Sequence, residues 1–187
     1  NLFLRDEKSW LAGTHRESMK VTALMFGLDL ENVSLTLPRL PCEGETDGIT
    51  ALAEYCRDCF ADYDSERMKR LIKKKMQLGE IYIISHKDKT VGFVIFSKKN
   101  KTLDYIAVSS DYRNSGIASR LMVTAMAQFD IGDELSIVTF RDDHPQSDGA
   151  KRLYGKFGFG NPKNIVVQGI PLTKITAIIP DKALTIE

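Results

Sequence analysis

A six-residue loop, Arg113–Ala118, constrains this 187-residue chain more than any other feature. It lies between a strand-like run, Leu103 to Val108, and a helix-like run, Ile117 to Phe129. The first turn of a helix carries free N–H groups, and the helix dipole favours negative charge at that end. Gly116 has no Cβ, so a phosphate can approach the backbone closely. The loop therefore predicts a binding site for a phosphate-bearing ligand.

The residue patterns of this loop and of a second segment resemble the sequence motifs of the GNAT superfamily of N-acetyltransferases. That family's acetyl-CoA loop reads Arg/Gln-x-x-Gly-x-Gly/Ala, and Arg113, Gly116 and Ala118 occupy its three defining places. Downstream, Ala150 to Phe159 is similar to the family's Ala-x-x-Leu-Tyr-x-x-x-Gly-Phe. Two motifs in this order are far more specific than a lone glycine loop.

The resemblance implies an α/β (α+β) fold with a central mixed, mostly antiparallel sheet flanked by helices. It implies an acetyltransferase domain over residues 31–187. Residues 1–30 do not resemble the family's signatures, and their weak apolar periodicity predicts a helical N-terminal extension. The implied function is an acetyl-CoA-dependent N-acetyltransferase, in which a primary amine attacks the thioester directly. The implied cosubstrate is acetyl-CoA, without a metal ion.

By the same resemblance, backbone N–H groups of the loop bind the pyrophosphate of CoA. The preceding strand pairs with the pantetheine arm where the two central strands splay apart, often at a β-bulge. Ser147 stands where the family usually has an asparagine, and its hydroxyl can partly replace that hydrogen bond. The residues implied for cofactor binding are Ile106, Ala107, Val108, Arg113, Asn114, Ser115, Gly116, Ile117, Ala118, Ser119 and Ser147.

Tyr154 is the candidate general acid. Acetyl transfer needs a proton donor for the departing thiolate, and a phenol with an ordinary pKa near ~10 can supply one. In the resembled family, the tyrosine at this position lies beside the sulfur of acetyl-CoA. The alternative is a core tyrosine, because the same predicted helix also carries Leu153 and Phe157.

The base that takes the proton from the amine is left open between several groups. Asp104 lies on the strand that leads to the loop, although strand alternation predicts that its side chain shares a face with Ile106 and Val108. Glu80, at the start of a neighbouring strand, is the second candidate. His144, in a polar stretch, and a chain of water molecules are further alternatives.

Periodicity predicts the order of the elements along the chain. An alternating strand is predicted at residues 33–37, and Asp47 is the predicted N-cap of a helix that continues to Phe60. A lysine run at residues 73–75 is interpreted as the solvated end of a helix. The remaining predicted strands are 80–85, 90–97, 102–108, 135–140, 165–168 and 174–179, and the remaining predicted helices are 65–78, 117–129 and 147–157.

Composition excludes several function classes. The 26 basic and 25 acidic residues give a net charge of +1, which offers no electrostatic reason to expect nucleic acid or an anionic membrane as a partner. No apolar run approaches the ~18 residues of a membrane span. The three cysteines suit a reducing compartment, so a cytoplasmic location is expected, and Cys56 and Cys59 are interpreted as ordinary packing residues. The histidines are not at metal-ligand spacing.

The acceptor is expected to be an amine-bearing small molecule or a peptide. Three stretches are expected to line its site: residues 38–48, 58–65 and 169–173. The apolar N-terminal extension is compatible with a homodimer. The alternative function is a non-catalytic acyl-CoA-binding sensor or interaction module with the same fold.

Overall fold

The computed structural model describes residues 35–141, 144 and 147–181. Six strands form one sheet flanked by helices, so the predicted fold class is confirmed. The predicted extension over residues 1–30 lies outside the described residues. The helices are α1 (Thr46–Tyr55), α2 (Ser65–Leu78), α3 (Ile117–Met126) and α4 (Ser147–Lys156). The strands are β1 (Ile81–His86), β2 (Lys89–Ser97), β3 (Thr102–Val108), β4 (Glu134–Phe140), β5 (Gly160–Val167) and β6 (Ile170–Ile178).

The sheet has the order β1-β2-β3-β4-β6-β5. Its neighbouring strands are antiparallel except for β3 and β4, which are parallel. These two central strands pair only through Thr102 with Ser136 and Leu103 with Ile137. Beyond Leu103 they separate, and the sheet is open along the rest of β3. The splayed centre expected from the family resemblance is therefore present.

The sheet separates two apolar cores. On one face, α1 and α2 cover a cluster centred on Ile72 and Phe93, both fully buried. On the other face, α3 and α4 cover a cluster that includes Leu121 and Tyr154. The middle of β2 is buried on both faces, which explains its nearly continuous apolar sequence.

Helix α2 has the predicted bounds because both of its ends carry strong local signals. The Asp64 side chain accepts a hydrogen bond from the Arg67 N–H at 2.6 Å and caps the first turn. Gly79, with φ 63°, ends the helix in the left-handed conformation that glycine adopts without steric cost. Within the described ranges, no helix has the length and apolarity needed to cross a membrane.

The chain before α2 departs from prediction in three respects. Glu45, not Asp47, is the N-cap residue of α1, and its carboxylate is held by Arg39 at 2.6 Å. The helix ends at Tyr55 rather than Phe60, because a separate 3-10 turn follows it. The described part of the predicted strand at residues 33–37 forms an isolated β-bridge between Leu35 and His86 instead of a continuous strand.

Gly92 sets the distance between α3 and the sheet. A Cβ at this position would lie 2.7 Å from the Ile117 Cγ2 atom, closer than side chains pack. The glycine therefore lets the first turn of α3 approach β2. This approach fixes the start of α3 relative to the end of β3, the two elements that carry the predicted phosphate loop.

A β-bulge in β3 corrects the predicted orientation of Asp104. Tyr105 pairs with Ile95 and Leu103 pairs with Phe96, so Asp104 is one extra residue in the ladder. Regular alternation would place the Asp104 side chain with Ile106 and Val108, but the bulge interrupts that alternation. The carboxylate instead turns towards α2, on the opposite face from the two apolar side chains.

Candidate active site

The loop between β3 and α3 has the geometry of an anion site. A 3-10 turn, Ser110–Tyr112, is followed by two residues with positive φ, Asn114 at 62° and Gly116 at 76°. Asparagine and glycine are the residues that adopt this conformation most readily. Gly116 is the N-cap of α3, and in the described chain no side chain caps this helix. Its first N–H groups are therefore left for a ligand.

Hydrogen bonds from neighbouring elements hold this loop in place. The Tyr55 and Ser110 hydroxyl groups are 2.5 Å apart, which links the loop to α1. The Tyr112 hydroxyl lies 2.6 Å from His86 Nδ1, which links it to the end of β1. The Ser115 hydroxyl donates to the Tyr112 carbonyl within the loop. A loop tied to two elements keeps its N–H groups oriented before a ligand binds.

A cavity of about 1080 Å³ runs from this loop along the gap between β3 and β4. Of the residues predicted to bind the cofactor, those that line it are Ile106, Ala107, Val108, Arg113, Asn114, Gly116, Ile117, Ala118 and Ser119. Ser115 belongs to the same loop but is not part of the lining. The structure thus brings the loop and the splayed strand to one cavity.

The backbone of β3 directs polar groups towards this gap, of which the Val108 carbonyl accepts a weak hydrogen bond from the Cys56 thiol at 3.9 Å. The Ser109 N–H donates to the Val91 carbonyl at 2.9 Å, towards β2. Because successive residues of a strand direct their N–H and C=O groups to opposite sides, those of Val108 and Ile106 face away from β2. They face the opening towards β4, where an extended ligand can pair with the strand edge.

Ser147 is not where the family resemblance would use it. The residue starts α4, is 1% exposed, and is not part of the cavity lining. Its N–H donates to the His144 carbonyl at 2.9 Å. Burial at the start of α4 thus keeps this serine out of the cavity lining.

Tyr154 combines a cavity position with a strongly shifted pKa. It lies on α4, lines the cavity, and is 8% exposed. Burial raises the pKa of its phenol to about 12, with a smaller contribution from the charge of Cys59. The phenol therefore stays protonated at neutral pH, so it can donate a proton but cannot serve as a base.

The shifted pKa predicts a difference in alkaline stability between the wild type and Tyr154→Phe. An unfolded tyrosine releases its proton near pH ~10, whereas native Tyr154 keeps it until about pH 12. The free energy of unfolding therefore falls as the pH rises between these values, by about 1.4 kcal/mol at pH 11. Urea unfolding at pH 9 and pH 11 should show this extra loss in the wild type alone. Equal losses in both proteins would contradict the pKa assignment.

Glu80 lies outside the cavity, in a buried ion pair. Its carboxylate accepts hydrogen bonds from Lys75 Nζ and from the Lys98 N–H, both at 2.8 Å. Burial alone would raise the pKa of this carboxyl, but these hydrogen bonds outweigh burial and lower it. A paired carboxylate that does not line the cavity is poorly suited to accept a substrate proton. In this structure Glu80 holds Lys75 and the start of the turn after β2.

Asp104 does line the cavity, but its oxygens already have partners. Oδ2 lies 3.1 Å from Lys75 Nζ, and Oδ1 accepts a hydrogen bond from the Thr102 hydroxyl at 2.5 Å. Lys75 itself is 6% exposed. The interpretation of residues 73–75 as a solvated helix end is therefore wrong for Lys75, whose ammonium group lies beneath the sheet between two carboxylates.

A smaller cavity of about 650 Å³ adjoins the main one, with which it shares several lining residues. His144 lines the smaller cavity and stacks on Phe140, with ring centroids 3.8 Å apart. The segment from Arg57 to Tyr63 lines it on another side, together with Ile170. Two of the three stretches expected to line an acceptor site thus contribute residues here, whereas residues 38–48 do not.

Sequence reasoning missed three basic residues near the site. Arg152 and Lys156 line the main cavity one helical turn apart on α4 and add positive charge to that of Arg113. Their spacing on the predicted helix could have indicated this. The third, Lys75, has no comparable local signal. Among the described residues, no group of three or more His, Cys, Asp and Glu side chains is arranged to hold a metal ion.

Residues 77–160 match the family described as Acetyltransferase (GNAT) domain. The match begins near the end of α2 and covers the loop, the cavity-lining part of β3 and Tyr154. A comparison with curated protein sequences finds no match.

Solved structures with the same fold include several acetyltransferases. An acetyltransferase of the GNAT family from Bacillus cereus aligns with TM-score 0.59 and 16% identity, covering 77% of this chain and 96% of that one. YncA, a putative acetyltransferase from Salmonella typhimurium solved with acetyl-CoA, aligns with TM-score 0.60 and 12% identity over 82% and 99%. Arabidopsis thaliana Naa50, in complex with a bisubstrate analogue, aligns with TM-score 0.58 and 16% identity over 78% and 99%. At these identities the likeness shows the fold.

Proposed function

Because residues 77–160 match the GNAT acetyltransferase domain family, we propose that the protein is an acetyl-CoA-dependent N-acetyltransferase acting on a primary amine. One observation carries the proposal. A single cavity joins an uncapped helix start, an open strand edge and a protonated tyrosine. These parts match the three charged or polar regions of a bound thioester: the phosphates, the amide-rich arm and the leaving sulfur.

The anion site and the strand edge hold the acyl donor. The free N–H groups at the start of α3 bind the pyrophosphate, and the positive charge of Arg113 adds to the helix dipole. The outward N–H and C=O groups of Ile106 pair with an amide of the pantetheine arm. This pairing fixes the thioester at the inner end of the gap, so that the reacting carbon meets the amine in one orientation.

Acetyl transfer then proceeds by direct attack. The nitrogen of the neutral amine bonds to the thioester carbon, the carbonyl oxygen becomes an oxyanion, and the carbon–sulfur bond breaks as the intermediate collapses. The Val108 N–H, which faces the gap, donates to the oxyanion. The Tyr154 hydroxyl donates its hydrogen bond and then its proton to the departing sulfur, and the phenol is reprotonated from solvent.

The proton of the attacking amine leaves through water. Neither carboxylate near β3 is free to act alone, because Lys75 lies within 3.1 Å of both Glu80 and Asp104. Asp104 is the one of the two that lines the cavity, so it can polarise a water molecule at the amine. An acceptor that enters past His144 and the segment from Arg57 to Tyr63 reaches the same cavity.

The acceptor class includes peptides in this proposal. Naa50 was solved with the bisubstrate analogue CoA-Ac-MVNAL, and the NatC complex was solved with a Gag peptide and CoA. Both share the fold of this chain at TM-scores of 0.58 and 0.56. The adjoining cavity of about 650 Å³ offers space for the residues that follow a peptide amine.

A thermal-shift titration with acetyl-CoA, CoA and ATP tests cofactor binding. A ligand present at a hundredfold excess over its Kd stabilises the folded state by roughly 2.7 kcal/mol. For a domain of this size we expect Tm to rise by about 5–10 °C with both CoA forms. ATP, which lacks the pantetheine arm, should give little or no shift. No shift with millimolar acetyl-CoA would contradict the proposed cofactor.

The second candidate function is a non-catalytic acyl-CoA-binding module. It is favoured because Glu80 and Asp104 both pair with Lys75, which leaves neither carboxylate free to take the proton of an amine. Both functions predict binding of acetyl-CoA, so turnover separates them. An enzyme releases CoA when peptides with free N-termini or small amines are added, and a thiol-reactive dye reports that release. Binding without any CoA release over a broad panel of amines would favour the binding module.

A further inference from the structure

Lys75 is a buried cation whose contacts all lie at one place in the sheet. Its Nζ donates to the Phe96 carbonyl and to Glu80 Oε2, and it lies 3.1 Å from Asp104 Oδ2. The three N–H groups of a lysine thus have three oxygen partners. Removing an ammonium group from water is costly unless it is paired and fully hydrogen-bonded, which this arrangement achieves.

Two of these partners, Asp104 of β3 and Phe96 of β2, lie at the β-bulge. Asp104 is the extra residue of β3, and Phe96 of β2 pairs with Leu103, the residue before Asp104. A bulge disrupts the ladder locally and leaves backbone groups that need other partners. Lys75 supplies a donor to the Phe96 carbonyl and a cation to the extra residue. Its third partner, Glu80, binds the Lys98 N–H just beyond β2.

The bulge marks the point where the central strands part. Thr102 and Leu103 pair with β4, and Asp104 is the next residue along β3. A bulge bends its strand and increases its twist, which carries the following residues away from the neighbouring strand. Residues from Asp104 to Val108 then line the cavity. The position of the bulge therefore sets where the gap begins and how wide it opens.

We propose that Lys75 is a positioning residue for the acyl donor: from outside the cavity, it fixes the bulge that holds open the slot for the pantetheine arm. This inference rests on the proposed function, because it assigns the slot to that arm. It distinguishes the slot from the loop at the start of α3, which no contact of Lys75 reaches. Loss of Lys75 should therefore weaken binding of the arm and spare binding of the nucleotide half of CoA.

The test compares Lys75→Met with Lys74→Met. Both substitutions remove an ammonium group from α2, but Lys74 is exposed on the helix surface and Lys75 is buried. Isothermal titration measures the affinity for acetyl-CoA and for 3′-phosphoadenosine 5′-diphosphate, which lacks the pantetheine arm. For Lys75→Met we expect the Kd of acetyl-CoA to rise by at least ~10-fold, while that of the nucleotide changes by less than ~2-fold. Lys74→Met should match the wild type for both ligands.

The ratio of the two affinities separates positioning from general destabilisation. A merely structural role for Lys75 would lower Tm and leave the ratio unchanged in folded protein. If folded Lys75→Met keeps the wild-type ratio of the two Kd values, this inference is overturned and the proposed function is unaffected. If that variant does not fold, the same two Kd values are measured for Glu80→Gln, which removes one carboxylate partner of Lys75. The same change in their ratio is expected. Failure of the wild type to bind acetyl-CoA would remove the proposed function and this inference together.

Discussion

We expect the Gly116→Glu variant to bind acetyl-CoA at least ~100-fold more weakly than the wild type, a loss of about 2.7 kcal/mol. Gly116 is the N-cap of α3 and lines the cavity at the anion site. A Cβ at this residue meets no atom within 4 Å, so the new side chain would project into open space at the loop. Its carboxylate would compete with the pyrophosphate for the free N–H groups and repel it.

Backbone strain must be separated from loss of the site. Gly116 has φ 76°, so any side chain there costs about 1–2 kcal/mol in folding stability. Gly132→Glu is the matched control, because Gly132 has φ 87°, equally open space around a Cβ, and a position outside the cavity. Both variants should lose similar stability, but only Gly116→Glu should lose affinity in a titration with acetyl-CoA. Equal affinity in both variants would show that α3 does not hold the cofactor.

The parts of the site that could be predicted from sequence are those with local signals. The loop before α3 depends on residues that are adjacent in the chain, and the chemistry of Arg113, Gly116 and Ala118 can be read directly. The bounds of α2 follow from Asp64 and Gly79, which act within one turn of its ends. Such features do not depend on distant contacts, so periodicity and capping rules predict them.

The family resemblance implies a β-bulge where the central strands part, but its position in β3 could not be read from the residues, because it is a property of a strand pair. The alternation in residues 102–108 gives no sign that Asp104 is an extra residue, and the register with β2 reveals it only in the fold. Prediction therefore placed the carboxylate on the wrong face. The role of Lys75 could not be predicted for a similar reason. In sequence it is one member of a lysine run, whereas in the fold it pairs with Asp104, 29 positions away.

The N-cap of α1 shows a different limit. Asp47 is a reasonable cap by residue type, but Glu45 is preferred because Arg39 binds its carboxylate at 2.6 Å and the Cys42 N–H donates to it at 2.7 Å. An ion pair between a bridge residue and a turn residue thus moves the helix start by two positions. Local preferences of similar strength are decided by such tertiary contacts.

The second large effect concerns chemistry rather than binding. We expect Tyr154→Phe to lower kcat by about 10²–10⁴-fold, the range that a positioned general acid contributes. The phenol is buried, lines the cavity and is protonated at neutral pH, because burial raises its pKa to about 12. Without it, the thiolate of CoA loses the proton donor that the proposed mechanism assigns to it. The ring of phenylalanine keeps the packing against Phe159, whose centroid lies 6.1 Å from that of Tyr154.

Binding and turnover must both be measured for Tyr154→Phe, because their ratio identifies the role. An acid that acts on the leaving sulfur contributes mainly in the transition state, so kcat should fall while the Kd of acetyl-CoA stays within ~2-fold of the wild type. Tyr82→Phe is the matched control, since Tyr82 is a half-buried tyrosine that stacks on Phe96 and does not line the cavity. Wild-type turnover in Tyr154→Phe would refute the acid role. A parallel loss of acetyl-CoA affinity would instead indicate that the tyrosine shapes the cavity, because a proton donor to the leaving group has no reason to hold the intact thioester.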